Sequence, residues 1–128
     1  MALVFSNFKR ALTSLEKALA LPKDDIVRDS VVKRFEYSYE LAWKLLQRAI
    51  EEDLGSAAVD GLPRRELFRI GAEKQLIADV NPWFEYHRLR NLSSHTYNEE
   101  IAEEMYAAAG RFAADARLLL AKLEARNG

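Results

Sequence analysis

The chain has 128 residues, 49% of them hydrophobic, which is enough apolar material for a buried core and excludes wholesale disorder. A net charge of -1 excludes a global basic field, so any contact with nucleic acid must come from a local patch. The absence of cysteine excludes disulfides, thiolate chemistry and Cys-based zinc sites.

The opening Met1-Ala2-Leu3-Val4-Phe5-Ser6 has no basic region followed by a long apolar run, so no signal peptide is expected. No stretch approaches the ~18 apolar residues of a membrane span. A cytoplasmic protein with no membrane contact is therefore expected, folded as a single domain over residues 1–128.

Apolar residues at Val4, Phe8, Ala11, Leu12, Leu15, Ala18 and Leu19 have helical spacing and predict a first helix with one buried stripe. Leu21-Pro22 ends it, because proline biases its predecessor away from helix. Asp24-Asp25 predict the start of a long second helix, as cap and as negative charge at an N-terminus. Its stripe runs Val27, Val31, Phe35, Ala42, Leu45, Leu46, Ala49, and it stops near Gly55. Phe35 and Trp43 are expected in the core, with Tyr37 and Tyr39 off the main stripe. Residues 55–61 are small and turn-rich and are expected to form a loop.

Pro63 suits the first turn of a third helix carrying Leu67, Phe68, Ile70 and Ala72. Gly71 in its middle costs roughly 1 kcal/mol relative to alanine, which suggests a close backbone contact there or simple tolerance. Asn81-Pro82 predicts the start of a short fourth helix with Trp83, Phe84, Tyr86 and Leu89, and its three aromatics read first as packing residues and second as a dimer surface. Thr96 and Glu99 form a possible capping box for a fifth helix, whose stripe is Ile101, Met105, Ala108, Phe112, Ala116, Leu119 and Leu123. No window alternates as a half-buried strand would. The expected fold is all-α, an antiparallel helical bundle of about five helices.

Neither histidine, His87 or His95, follows a glutamate by three residues, so the di-iron pattern of bundle proteins is absent and no metal is expected. Phosphate-binding glycine loops and the GxSxG elbow are also absent, and no cofactor is expected. Arg64, Arg65 and Arg69 span about a turn and a half and could touch phosphates, although a solvated helix face is the commoner arrangement.

The segment Arg88-Leu89-Arg90-Asn91-Leu92-Ser93-Ser94-His95-Thr96-Tyr97 gathers a guanidinium, an amide, an imidazole and a phenol. On one ideal helix Arg90 and His95 would lie about 140° apart, so they converge more easily if the helix ends near Ser93 and the chain turns. Arginine grips phosphate in a bidentate fork, and histidine moves protons near neutrality. Together they are suited to cleaving RNA: His95 would act as acid or base at the ribose 2′-hydroxyl or the leaving oxygen, and Arg90 would stabilise the phosphorane. Spacing alone favours a plainer arrangement, with Arg90 paired to an acid such as Glu103 and His95 a helix-end residue. His87, outside the motif, is expected at an exposed helix position.

The run from Arg90 to Tyr97 resembles the R-x4-H-x-Y signature of the HepT branch of the HEPN superfamily, and Asn91 fits its polar residue after the arginine. Residues 34–44, residues 63–66 and the run Asn98-Glu99-Glu100-Ile101-Ala102 resemble further blocks of that family in the same order, so the likeness covers nearly the whole chain. The resemblance implies a homodimeric, metal-independent endoribonuclease toxin accompanied by a minimal nucleotidyltransferase as antitoxin. It implies Arg90 and His95 as catalytic, Asn91 as supporting, and Tyr97 as the residue to which the partner adds AMP. It also implies an alternative, a non-catalytic substrate-binding subunit of a two-component nucleotidyltransferase.

Overall fold

A computed structural model describes residues 3–127. Its helices are α1 (Ser6–Leu19), α2 (Asp25–Leu54), α3 (Ser56–Val59), α4 (Arg64–Glu73), α5 (Val80–Asn91) and α6 (Glu99–Asn127), with a 3-10 turn at Ser93–His95 between the last two. There is no strand among the described residues, and no helix there is long and apolar enough to cross a membrane. The all-helical expectation holds. The expected loop after α2 contains one helical turn, α3, which tucks Val59 into the core.

Local signals set the helix ends. Asp24 caps α2 as expected, its Oδ1 accepting from Val27 N at 2.7 Å. The start of α5 is capped by Asp79, which accepts from Asn81 N at 3.0 Å, rather than by Asn81 itself. The Thr96–Glu99 capping box does not form. Glu99 is the first residue of α6, and Asn98 caps it by accepting from Glu100 N at 2.9 Å. Asparagine is at least as good a cap as threonine, and it sits at the right place.

The helices α1, α2 and α6 pack on one another, and α4 with α5 covers the remaining face of α2. Ion pairs give the directions. Lys9–Glu124 and Glu16–Arg117 make α1 antiparallel to α6, and Arg88–Glu104 makes α5 antiparallel to α6. Arg28–Glu103 at one end and Asp53–Arg126 at the other make α2 and α6 parallel neighbours within the bundle.

At the centre Phe112 is ringed by Phe35 (centroids 5.0 Å apart), Tyr86 (5.2 Å), Trp83 (5.9 Å) and Tyr39 (6.4 Å), mostly edge-to-face. Tyr39 is fully buried, which corrects the expectation that it lies off the stripe. It follows Phe35 by four residues and precedes Ala42 by three, so it shares their face. Gly71 makes the close contact its position suggested: a Cβ there would lie 3.2 Å from Leu46 Cδ1.

Candidate functional site

The site grows from the last turn of α5. Trp83, Tyr86 and Leu89 on one face of this helix are buried, which fixes its rotation. His87, Arg90 and Asn91 then fall together along the edge facing α2, within about 100° of one another. Helix α5 stops at Asn91, and the chain turns through Ser93–His95 before α6 begins at Glu99. This is the break expected near Ser93.

Arg90 is held at two points. Its Nη1 donates to Ser93 Oγ at 2.7 Å, and its Nε lies 3.1 Å from Glu40 Oε1. The Nε contact is an ion pair and not an aligned hydrogen bond, since the buried Nε–H has no acceptor in line with it. The other oxygen of Glu40 accepts from Trp43 Nε1 at 3.0 Å. The side chain is held through both Nε and Nη1 and remains 33% exposed. The acid partner is thus Glu40, while Glu103 is taken by Lys23 and Arg28.

His95 is exposed, and its Nδ1 shares a hydrogen bond of 3.2 Å with Tyr97 Oη. The two rings meet edge to face at 5.8 Å. Tyr97 is 82% exposed. Arg90 and His95 make no hydrogen bond to each other; the motif is brought to one corner of the bundle, with the guanidinium anchored and the imidazole–phenol pair open to solvent. Asn91 is exposed and reaches back to His87, with Nδ2 3.5 Å from Nε2.

The start of α6 is tied down from α2. The buried guanidinium of Arg28 lies 3.2 Å from Glu103 and 3.6 Å from Glu99. Hydrogen bonding from Lys23 first, and then from Arg28, holds the Glu103 carboxyl below the usual carboxylate range. These contacts fix the residues immediately after Tyr97, and hence the far side of the turn.

His87 is not the exposed residue expected of it. It is half-buried, and its Nδ1 shares a 3.1 Å hydrogen bond with Tyr39 Oη. Burial, and then the charges of Arg64 and Arg65, push its pKa below the ordinary histidine value against the opposing pull of Glu40. Burial likewise pushes the Tyr39 phenol up to about 12, so it stays protonated at neutral pH. A histidine with a depressed pKa binds fewer protons folded than unfolded, so it costs stability as pH falls through the ordinary histidine range. The expected result is that His87→Gln flattens the loss of stability from about pH 7 to about pH 5, measured as the difference in urea-unfolding free energy between wild type and variant.

The arginines of α4 are not a simple solvated face. The Arg64 guanidinium lies 3.9 Å from the Trp43 ring centroid and 5.7 Å from that of Tyr39. Arg65 and Arg69 lie 4.6 Å and 5.4 Å from the ring of Phe84. Sequence reasoning missed Glu40, Ser93 and the Tyr39–His87 pair as parts of this site. Glu40 sits inside the aromatic block of residues 34–44, but nothing local links it to Arg90, fifty residues away.

Comparisons with known proteins bear on the family and the fold. The family model described as "Nucleotidyltransferase substrate binding protein like" matches residues 3–125. A Haemophilus influenzae protein named "Probable ribonuclease HepT" is 31% identical over 107 residues, covering 80% of this chain and 73% of the relative. A solved Haemophilus influenzae structure, described as revealing the fold of a substrate binding domain of a nucleotidyltransferase, superposes with a TM-score of 0.88. It is 25% identical and covers 94% of this chain and 99% of its own. A crystal structure of a Thermus thermophilus protein superposes with a TM-score of 0.79 at 27% identity, covering 91% of this chain and 98% of its own.

Proposed function

The chain belongs to the family of nucleotidyltransferase substrate binding protein-like proteins, and from that footing we propose that it is a metal-independent endoribonuclease toxin, active as a homodimer and silenced by AMP on Tyr97. The observation that carries the reading is the helix break after Asn91. It leaves an anchored guanidinium at Arg90 and an exposed imidazole, oriented through Nδ1 by Tyr97, at the same corner. The name of the Haemophilus relative points the same way.

The chemistry needs no external nucleophile. A base removes the proton of a ribose 2′-hydroxyl, the 2′-oxygen attacks the adjacent phosphorus, and the bond to the 5′-oxygen breaks, taking up a proton. The products are a 2′,3′-cyclic phosphate and a free 5′-hydroxyl. His95 moves the proton through Nε2, since Nδ1 is engaged by Tyr97. Arg90 supplies its fork to the phosphorane oxygens, and Asn91 supports the backbone of the strand. In the homodimer two such corners face one cleft and hold the strand between them.

Silencing follows from the position of Tyr97. Its Oη attacks the α-phosphorus of ATP on a partner minimal nucleotidyltransferase, pyrophosphate leaves and the phenolic proton is lost. The product places a phosphodiester anion beside His95, where it competes with the substrate phosphate for Arg90 and removes the phenol O–H that orients the imidazole. The high exposure of Tyr97 suits it to this reaction. The expected result is that incubation with the nucleotidyltransferase and ATP adds the mass of one AMP unit to wild type but not to Tyr97→Phe, and that only the modified protein loses ribonuclease activity. Modification at another residue, or full cleavage by the modified protein, would contradict the switch.

The description of the superposing Haemophilus structure favours a second reading, a non-catalytic subunit that presents substrate to the nucleotidyltransferase. It predicts no cleavage by the isolated chain and tight binding to the partner.

A further inference from the structure

We propose that the groove between the start of α4 and the outer edge of α5 binds a nucleotide of single-stranded RNA next to the scissile phosphate, with Arg64 and Arg65 on its phosphates and Phe84 carrying the base stack. The proposal rests on the ribonuclease reading for its substrate.

Four observations carry it. First, there is a cavity of about 330 Å³ at this place, with Arg65, Phe84, His87 and Asn91 among its lining residues, which is the size of a small-ligand site. Second, its charge is unbalanced. The acid in its lining, Glu85, is engaged by Arg88 at 2.5 Å, Glu66 of α4 by Arg69 and Glu40 by Arg90, whereas neither Arg64 nor Arg65 has an acidic partner among the described residues. Third, these two guanidiniums lie over aromatic rings, Arg64 over Trp43 and Arg65 over Phe84. Such planes extend a stack that an unpaired base can join, which an acidic peptide would not use. Fourth, the groove is continuous with the cleavage corner. Asn91 lines it and follows Arg90 directly, and His87 in its wall touches both Asn91 and Tyr39, whose neighbour Glu40 pairs with Arg90.

The imidazole of His87 and the amide of Asn91 add a polar edge that can donate to and accept from a base. Duplex RNA is a poor occupant, because its bases are already stacked and its deep groove excludes the side chains. A flanking nucleotide held here positions the next phosphate at Arg90, so the groove acts through binding and register rather than through the chemical step.

The test uses full-length His95→Ala, which holds RNA uncleaved, and a fluorescein-labelled single-stranded oligouridylate read by anisotropy over a salt series. Adding Arg65→Ala or Phe84→Leu is expected to weaken binding about tenfold, and Arg65→Ala to lower the salt slope by about 0.7. Phe84→Leu keeps apolar volume at a half-buried site, so folding and ring loss are separated; circular dichroism verifies both variants. Lys122→Ala, remote from the groove, is expected to leave binding unchanged. Binding indifferent to both groove substitutions overturns the proposal, as does competition by poly-glutamate equal to that by unlabelled RNA, which would make the groove a seat for acidic protein. Wild type is assayed for cleavage in parallel. Groove-dependent binding without cleavage removes the ribonuclease reading and leaves the groove standing; cleavage with groove-independent binding does the reverse.

Discussion

Arg90→Ala is expected to lower RNA cleavage by about 10²–10³-fold, the usual consequence of deleting one preorganised group that stabilises charge in the transition state. Two effects combine in that loss. On the proposed reading the phosphorane loses its fork, and Glu40, freed from its 3.1 Å ion pair, adds a half-buried negative charge beside the position proposed for the substrate phosphate. Arg90→Lys is expected to restore little, because one ammonium cannot hold Ser93, Glu40 and two phosphate oxygens in a plane. The double variant Arg90→Ala, Glu40→Gln separates the contributions: it removes the orphaned carboxylate and recovers stability, while cleavage stays low. Single-turnover rates with saturating protein, alongside urea unfolding of each variant, check this.

The largest effect on stability is expected at Phe112→Ala, a loss of about 3–5 kcal/mol. Phe112 is fully buried and touches four aromatic rings from α2 and α5, so the helices around it cannot close on the hole without moving all four. Against a total stability of roughly 5–15 kcal/mol, that loss removes much of the folded population's margin. The urea midpoint should fall with the slope unchanged. A shift below about 1 kcal/mol would mean that the aromatic cluster repacks freely.

The sequence made the helices legible because each carries its own period and its own stops. The cap at Asp24, the break at Gly55 and the close approach at Gly71 could all be read locally. Asn98 and Asp79 cap α6 and α5 rather than Thr96 and Asn81, because a cap is decided by the position of the helix start and not by residue type alone. The helix break after Asn91 was also readable, from the geometry that Arg90 and His95 would need to converge.

What could not be read were contacts between distant helices. Glu40 reaches Arg90 only because α2 and α5 cross at that level. Tyr39 shares the buried face of Phe35, and its polar hydroxyl is tolerated there because His87, on another helix, satisfies it. Arg64 and Arg65 looked like a solvated face until α4 brought them over Trp43 and Phe84. Each case needs a partner more than twenty residues away or on a separate element, which periodicity does not encode.

The most direct test is cleavage of a mixed RNA pool, including transfer RNA, by purified wild type and His95→Ala in the presence of chelator. His95 is exposed and its hydrogen bond is to Tyr97, so its removal should leave folding unchanged within about 0.5 kcal/mol. Cleavage by wild type to products with cyclic phosphate ends, absent with His95→Ala, is the result expected of a ribonuclease site at this corner. Equal cleavage by both proteins, or none by either, would contradict it.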